Sequence, residues 1–478
     1  MKKILPIFCL LIIIASKGFS QQFSQYNTGT LFDSFENPSQ RTFIPDSSRK
    51  FAFNFLIPNF DANFLLQGNA QSVLVNRKFG SNYTGTGLQI GNGSVNNVGV
   101  DATAYALMAK MFASFNGDEE IGIFAGLKSE GTGAFTDETV ALFEAPSAFH
   151  SNTYDNVLND HFYNQIYNAI GLTYRERLSS QFAIGFKVSF LMGINYTKLK
   201  VDESHLSFNN AGDETDISLR GKYYVSKDPG KFDASSFLPN SRNPGAQISI
   251  GTSYKTDDNI ILQGNIKDLG FIHWYSGSFT SNFDNTTAVT GLAGLSPKQR
   301  EQTVYNSVYA LLAGTPTYGS FTTATDGRFE LSANKSYFVN ANKSIIYSPT
   351  LIVSKELFYN GYTAAMVNRF QYGNINLSLT PSYDNLNLFN LGLQLMVKSS
   401  NMELFIGSDR LVQTAGLASA KSNPESYSGG AYTGGDIFFG FAVKLGPVIE
   451  HPLNASSVPT GEKGFIARLW NRLFKTYQ

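Results

Sequence analysis

The sequence predicts an all-β fold: a transmembrane antiparallel β-barrel of about 14 strands, with short helices in its loops and a C-terminal amphipathic helix. Three observations carry this. Charged residues make up only 15% of the chain and aromatics 14%, with 40 Phe and 24 Tyr, whereas ordinary globular proteins carry about 25% charged residues. Strict period-2 alternation of apolar and polar or small residues recurs along the chain. After the first twenty residues, no apolar run is long enough for a transmembrane helix. Few charges with many aromatics exclude a disordered chain. Lys+Arg equals Asp+Glu at 37 each, so no basic excess points to a nucleic-acid partner.

Residues 1–20 read as a signal peptide. Lys2 and Lys3 precede an apolar run from Ile4 to Ala15, and Gly18-Phe19-Ser20 supplies a small residue at a cleavage site. The run is too short to span a bilayer. Cys9, the only cysteine, lies within it, so the exported chain is expected to hold neither disulfide nor Cys-bound metal. Removing Lys2, Lys3 and Lys17 leaves 34 basic against 37 acidic residues, a net charge of −3.

The clearest strand has Phe182, Ile184, Phe186, Val188, Phe190, Met192, Ile194 and Tyr196 on one face. Ala183, Gly185, Lys187, Ser189, Leu191, Gly193 and Asn195 lie on the other. Ile437, Phe439, Phe441, Val443 and Leu445 repeat the pattern, as do Phe389 to Val397 and Ile375 to Leu379. A soluble sandwich also alternates. Lipid outside is favoured by the length of the apolar faces and by terminal aromatics such as Phe182 and Tyr196. It is also favoured by mid-strand lysines on the opposite face (Lys187, Lys267, Lys444), which a packed core would not hold. On this reading Phe186→Asp damages folding and Lys187→Asp is tolerated.

Strands are expected near 51–64, 105–115, 120–129, 162–176, 181–196, 246–255, 260–268, 329–340, 345–357, 361–370, 374–381, 387–398, 402–411 and 435–445. Pro58 weakens the first, and Pro349 marks a candidate kink or lateral gap. Short turns (Asn116–Glu119, Arg177–Ser180, Thr256–Asn259, Ala341–Ser344, Gln371–Gly373, Ser399–Asn401) alternate with mostly longer links (130–161, 197–245, 269–328, 412–434). Outer-membrane barrels place short turns in the periplasm and long loops outside. An even count then leaves both termini in the periplasm. In the loops, Thr136-Asp137-Glu138 starts a short helix. Ser296-Pro297 starts a longer one that Gly314 and Pro316 close, and 199–208 with 217–226 form a further hairpin. Residues 51–446 thus make the barrel, preceded by a periplasmic or plug segment, 21–50.

No catalytic motif is found. The five histidines lack metal-site spacing, and nucleophile elbow, P-loop and calcium loop are absent. Neither enzymatic activity nor a cofactor is expected. The inward charges Arg175, Lys187, Lys267, Lys398 and Lys444 are candidate lumen-lining residues. They either line a path or pair with inward Glu403 and Asp409 to fill a closed lumen.

Phe35-Glu36-Asn37-Pro38-Ser39-Gln40, ahead of the first strand, resembles the Asn-Pro-Ala segment of FadL-type transporters and of PorV, the barrel partner of type IX secretion. Ser39 stands where those have Ala. Asp268-Leu269-Gly270-Phe271-Ile272-His273-Trp274 resembles a segment of an uncharacterised barrel family of the type IX lineage, and Tyr174-Arg175-Glu176-Arg177-Leu178 has the same cadence. Gln22-Phe23-Ser24-Gln25-Tyr26 also resembles the PorP/SprF family. FadL-type barrels have fourteen strands, which agrees with the count. From the residues alone, Trp274 reads as an interfacial anchor and Asp268 as part of a strand exit. The resemblance implies a channel for a small or hydrophobic molecule, plugged by residues around Asn37 and Pro38. The alternative it implies is a non-enzymatic assembly partner in type IX secretion or another envelope complex.

The chain continues past its last strand. Pro447, Pro452 and Pro459 keep the linker extended. In 465–475, Phe465, Ile466, Leu469, Trp470, Leu473 and Phe474 fill one half of a helical wheel, with Arg468, Arg472 and Lys475 opposite. Residues 447–478 are therefore expected to form a periplasmic linker and a helix that lies on outer-membrane lipid or on a periplasmic or secretion-system protein.

Overall fold

The computed structural model describes residues 23–449, apart from 39, 41–48, 55–56, 81–84, 115–116, 145, 210–212, 228–233, 293, 359–360 and 425–426. The signal peptide and the tail helix Phe465–Phe474 lie outside the described residues.

Fourteen antiparallel strands close a barrel among the described residues. Strand β1 is split into Arg49–Phe53 and Asn59–Gln67. There follow β2 (Val95–Phe112), β3 (Glu119–Thr136), β4 (His161–Arg177), β5 (Phe182–Asn209), β6 (Pro244–Lys255) and β7 (Ile261–Trp274). The circuit continues through β8 (Arg328–Asn334), β9 (Ile345–Glu356), β10 (Tyr362–Tyr372), β11 (Ile375–Asp384), β12 (Phe389–Lys398), β13 (Met402–Ser408) and β14 (Thr433–Val448). Each pairs with its neighbour, and β14 returns to both halves of β1, with Phe51 opposite Leu445 and Phe64 opposite Gly435. Closure leaves no strand edge in the wall, the condition for β structure in lipid. No helix among the described residues is long and apolar enough to cross a membrane.

Pro58 divides β1 because it has no amide hydrogen for the ladder. Buried Asn54 bridges the gap. Its amide nitrogen donates to Met108 O at 3.0 Å, its Oδ1 accepts from Met108 N at 2.9 Å, and its Nδ2 donates to Tyr105 O at 3.0 Å. Opposite, β2 bulges between Tyr105 and Leu107. Pro349 marks no such gap: β9 runs straight through it, opposite Asn368 of β10. The Pro349 carbonyl accepts from Asn334 Nδ2 at 3.0 Å.

Strands β2 and β3 run further than the expected 105–115 and 120–129: their outer portions pair Asn96 with Phe135, Asn97 with Ala134 and Asp101 with Glu130. β5 is the longest at 28 residues. Its first half pairs with β4 and β6, and its second half leaves the barrel to pair with Glu214–Val225. That strand in turn pairs with Phe279–Thr290. On this outer sheet packs the long loop helix Pro297–Ala313, whose Val304, Leu311 and Leu312 meet Leu219 and Phe283. Its first turn is held by the Ser296–Gln299 capping box.

The outward row of β5 is shorter than its alternation suggests. Val188 and Phe190 are open to the bilayer, but Met192 and Ile194 are buried. Ile194 is an extra residue in a bulge, since Ile166 faces Asn195 while Tyr167 faces Gly193. The bulge reverses parity, so Tyr196 turns inward and its ring lies 5.8 Å from that of Trp274. Trp274 is itself fully buried and donates to Thr323 Oγ1 at 2.9 Å. Neither residue belongs to an interfacial girdle. The lipid-facing assignment of Val188, 54% exposed, predicts that Val188→Arg costs on the order of 2–4 kcal/mol near mid-bilayer. A lowered yield of heat-modifiable barrel should report this loss, and wild-type folding would contradict the assignment.

Candidate functional site: a lumen filled by the N-terminal segment

The described residues of 23–40 lie inside the barrel. Phe23–Gln25 form one short helical turn. Asn27 and Gly29 then reverse the chain with left-handed φ of 58° and 68°, and α1 follows over Leu31–Glu36. Asp33 organises the reversal by accepting from Thr28 N at 2.8 Å and Gly29 N at 3.0 Å. Thr30 caps α1, its Oγ1 accepting from Asp33 N at 3.2 Å.

The segment's apolar side is a short aromatic core. Phe32 sits edge-on to Tyr105 and Phe405 at 5.8 and 5.9 Å, and Phe35 to Phe124 at 5.6 Å. Two wall glycines make room. A Cβ on Gly122 would lie 2.8 Å from the Phe35 ring, and one on Gly185 would lie 2.2 Å from the Pro38 carbonyl oxygen. Pro38 and Asn37 are both buried, and Asn37 Nδ2 donates to Gln263 Oε1 at 3.4 Å.

The polar side meets the wall on every flank. Arg369 donates to Asn27 O at 2.6 Å, Lys398 to Thr28 O at 2.8 Å, Lys110 to Ser34 Oγ at 2.6 Å and Arg175 to Gln40 Oε1 at 3.4 Å. The Leu31 amide donates to Glu403, and the Tyr26 hydroxyl to Glu330. Glu36 accepts from the Tyr105 hydroxyl. It faces Lys267 at 3.4 Å and Lys187 at 4.0 Å. Lys187 also pairs with Asp268 at 3.0 Å, which in turn pairs with Lys128 at 2.5 Å, while Lys267 reaches Glu330 at 3.4 Å. Three lysines and three carboxylates thus form one buried network around the end of α1. A second pair of links joins Arg328 to Asp101 and Glu356, each at 3.5 Å. The cavity left between segment and wall is about 40 Å³, bounded by Glu36, Asp101, Lys128, Lys267 and Arg328. That is room for about three water molecules.

Of the inward charges read from the sequence, Arg175, Lys187, Lys267, Lys398 and Glu403 all touch the segment. Lys444 pairs with Glu403 at 2.8 Å. Asp409 meets none of the lysines; it lies past the end of β13, and its amide donates to Asp436. Lys187 is not replaceable by Asp as alternation suggests, because it stands between two carboxylates. Sequence reasoning missed Lys110, Glu120, Lys128 and Glu130 of β3 and its neighbour, although the inward row Glu120-Gly122-Phe124-Gly126-Lys128-Glu130 alternates cleanly. It also misread Asp268. That residue is a bulge with φ 54°, between Ile266 and Leu269, that turns the carboxylate inward. Gly270 beside it is required: a Cβ there would lie 2.3 Å from Ala246 O.

Fold and lumen together define a self-plugged barrel of the outer-membrane type. The model of a family of unknown function, DUF5723, matches residues 43–409, and the chain belongs to that family. No curated protein matches it. Among solved structures, the chain is similar to the Pseudomonas putida toluene transporter TodX (TM-score 0.40, 8% identity, 91% of this chain and 96% of that one). It is also similar to a Pseudomonas aeruginosa FadL homologue (0.40, 10%, 90% and 98%) and to the Ralstonia pickettii toluene transporter TbuX (0.41, 8%, 86% and 93%). With scores this low, none of them indicates what this chain binds, and neither family model nor structures bear on PorV or type IX secretion.

Glu36→Ala removes one member of the buried network and leaves Lys267 and Lys187 undercompensated, at a cost of about 3–5 kcal/mol. The denaturant midpoint of the detergent-solubilised barrel should fall accordingly. Glu36→Ala combined with Lys267→Met should recover part of the loss, because the two sites are coupled. An unchanged midpoint in the single variant would contradict the network.

Proposed function

We propose that the protein is an outer-membrane barrel closed at rest by its own N-terminal segment, which admits a small solute only when that segment is displaced. The observation that carries this reading is the set of contacts from α1 and its flanks to the wall. Every lumenal flank contributes a donor or acceptor, and little space remains. The lumen's chemistry favours a polar solute over a hydrophobic one. Lys128, Lys267, Arg328, Asp101 and Glu130 bound the space a solute would enter, and an apolar molecule there would displace water from charged groups without offering them a hydrogen bond.

A second reading, a non-conducting partner in an envelope complex, draws support from the outer surface. A largely apolar groove of about 620 Å³ lies between the loop helices, bounded by Leu74, Phe135, Val140, Phe143 and Tyr305. Tyr305 is 49% exposed. Type IX secretion remains one such assignment.

One experiment separates the two. Deleting residues 23–40 from the full chain, with folding checked by heat-modifiability, should turn a silent barrel into one with discrete open-channel currents in planar bilayers. A folded deletion barrel that stays silent would overturn the channel reading and favour the partner.

A further inference from the structure

The first strip of the N-terminal segment leaves a polar seam along the wall. Phe23–Gln25 lies against β10, β11 and β12. Asn27 and Thr28 follow, their carbonyls held by Arg369 of β10 and Lys398 of β12. Facing this strip, the wall presents Ser378 and Thr380 of β11 and Gln394 of β12. The alternate residues Leu377, Leu379 and Leu395 are open to the bilayer, so these three side chains point into the lumen. In the ladder Ser378 stands opposite Arg369 on one side and Gln394 on the other.

Both banks of this seam carry hydrogen-bonding atoms without a partner. On the segment these are Ser24 Oγ, Gln25 Nε2 and both amide atoms of the Asn27 side chain. On the wall they are Ser378 Oγ, Thr380 Oγ1 and both amide atoms of the Gln394 side chain. Each of the six residues is no more than 2% exposed. Buried polar atoms are nearly always paired, yet here donors and acceptors lie on adjoining surfaces without bonding one another. The side around α1 differs, because lysines and carboxylates meet there directly. Gln25 also borders the small cavity beside Glu36, so the seam adjoins free space in the lumen.

We infer that this seam is the binding strip for a small uncharged polyol, which passes between residues 23–28 and β10–β12 while α1 stays anchored. The inference rests on the channel reading above and names its solute class and path. A hydroxyl donates and accepts at once, which is what the unpaired amides of Asn27 and Gln394 require. A cation would answer only their oxygens, and an anion only their nitrogens. The six side chains themselves carry no charge. Parting this side releases the bonds of Arg369 and Lys398 to two carbonyls, whereas moving α1 would break the links of Glu36 to Lys187, Lys267 and Tyr105.

The test uses the full-length protein in liposomes, with glycerol and ribitol influx read by light scattering and potassium chloride as the ionic comparison. Arg369→Gln removes a charge-assisted hydrogen bond from the segment and should raise polyol influx roughly tenfold, with a smaller rise for the salt. Adding Ser378→Ala and Gln394→Leu should cancel that gain at unchanged heat-modifiability. Independently, Gln394→Cys in the folded barrel should react with methyl methanethiosulfonate. Gln247→Cys, at a position whose native side chain donates to Asp268 O at 3.3 Å, should not. A gain that survives the Ser378 and Gln394 substitutions, or a rise for the salt equal to that for the polyols, would overturn the proposal. So would water permeation without polyol influx, or a Gln394→Cys variant that does not react. If the barrel lacking residues 23–40 passes glycerol and Arg369→Gln does not, the channel reading stands and this strip alone falls.

Discussion

A fourteen-stranded barrel encloses more space than its inward side chains fill; about eight strands is the size at which side chains alone suffice. In this protein the remaining volume is taken by the chain's own residues 23–40, and the rest of the interior is arranged around them. Glu36 is the fixed point. It enters the lumen on a helix of six residues and stands among Lys187, Lys267 and the Tyr105 hydroxyl. The glycines at 122 and 185, the inward turn of Asp268 and the aromatic shelf under Phe32 and Phe35 all accommodate that one segment.

The network defines where the segment sits more than how strongly. Burying charges has a desolvation cost that pairing barely offsets, so such a network adds little net stability, yet removing one member is costly. Glu36, Asp268 and Glu330 balance Lys128, Lys187 and Lys267, and a shift of α1 along the lumen would break several links together. Weak net binding with a well-defined position is the property that the proposed displaceable plug requires.

Period-2 alternation made the barrel, its strand count and the inward charges legible in the sequence, because lipid outside and polar groups inside leave a strong imprint. It failed where local geometry changed parity. The bulge at Ile194 moved Tyr196 from the outer face to the inner, and the bulge at Asp268 turned a carboxylate inward that had looked like part of a strand exit. Proline was an ambiguous signal. Pro58 splits its strand, and its gap is bridged by Asn54, whereas Pro349 is absorbed in a continuous strand. The outer ends of β2 and β3 were missed because small and polar residues such as Ala102, Ala104, Ser129, Gly131 and Gly133 weaken the alternation there. Which residues of 21–50 touch which wall position could not be read at all, since those contacts join residues as far apart as Tyr26 and Glu330.

The measurement that bears most directly on this account is hydrogen–deuterium exchange of the intact protein in nanodiscs, followed for peptides covering residues 23–40. If the segment fills the lumen as described, the amides of α1 should be protected for as long as those of the barrel strands, and Glu36→Ala should shorten that protection selectively. Complete exchange of α1 within seconds, in a barrel whose strands stay protected, would mean that the segment is not held in the lumen, and the central claim would fail.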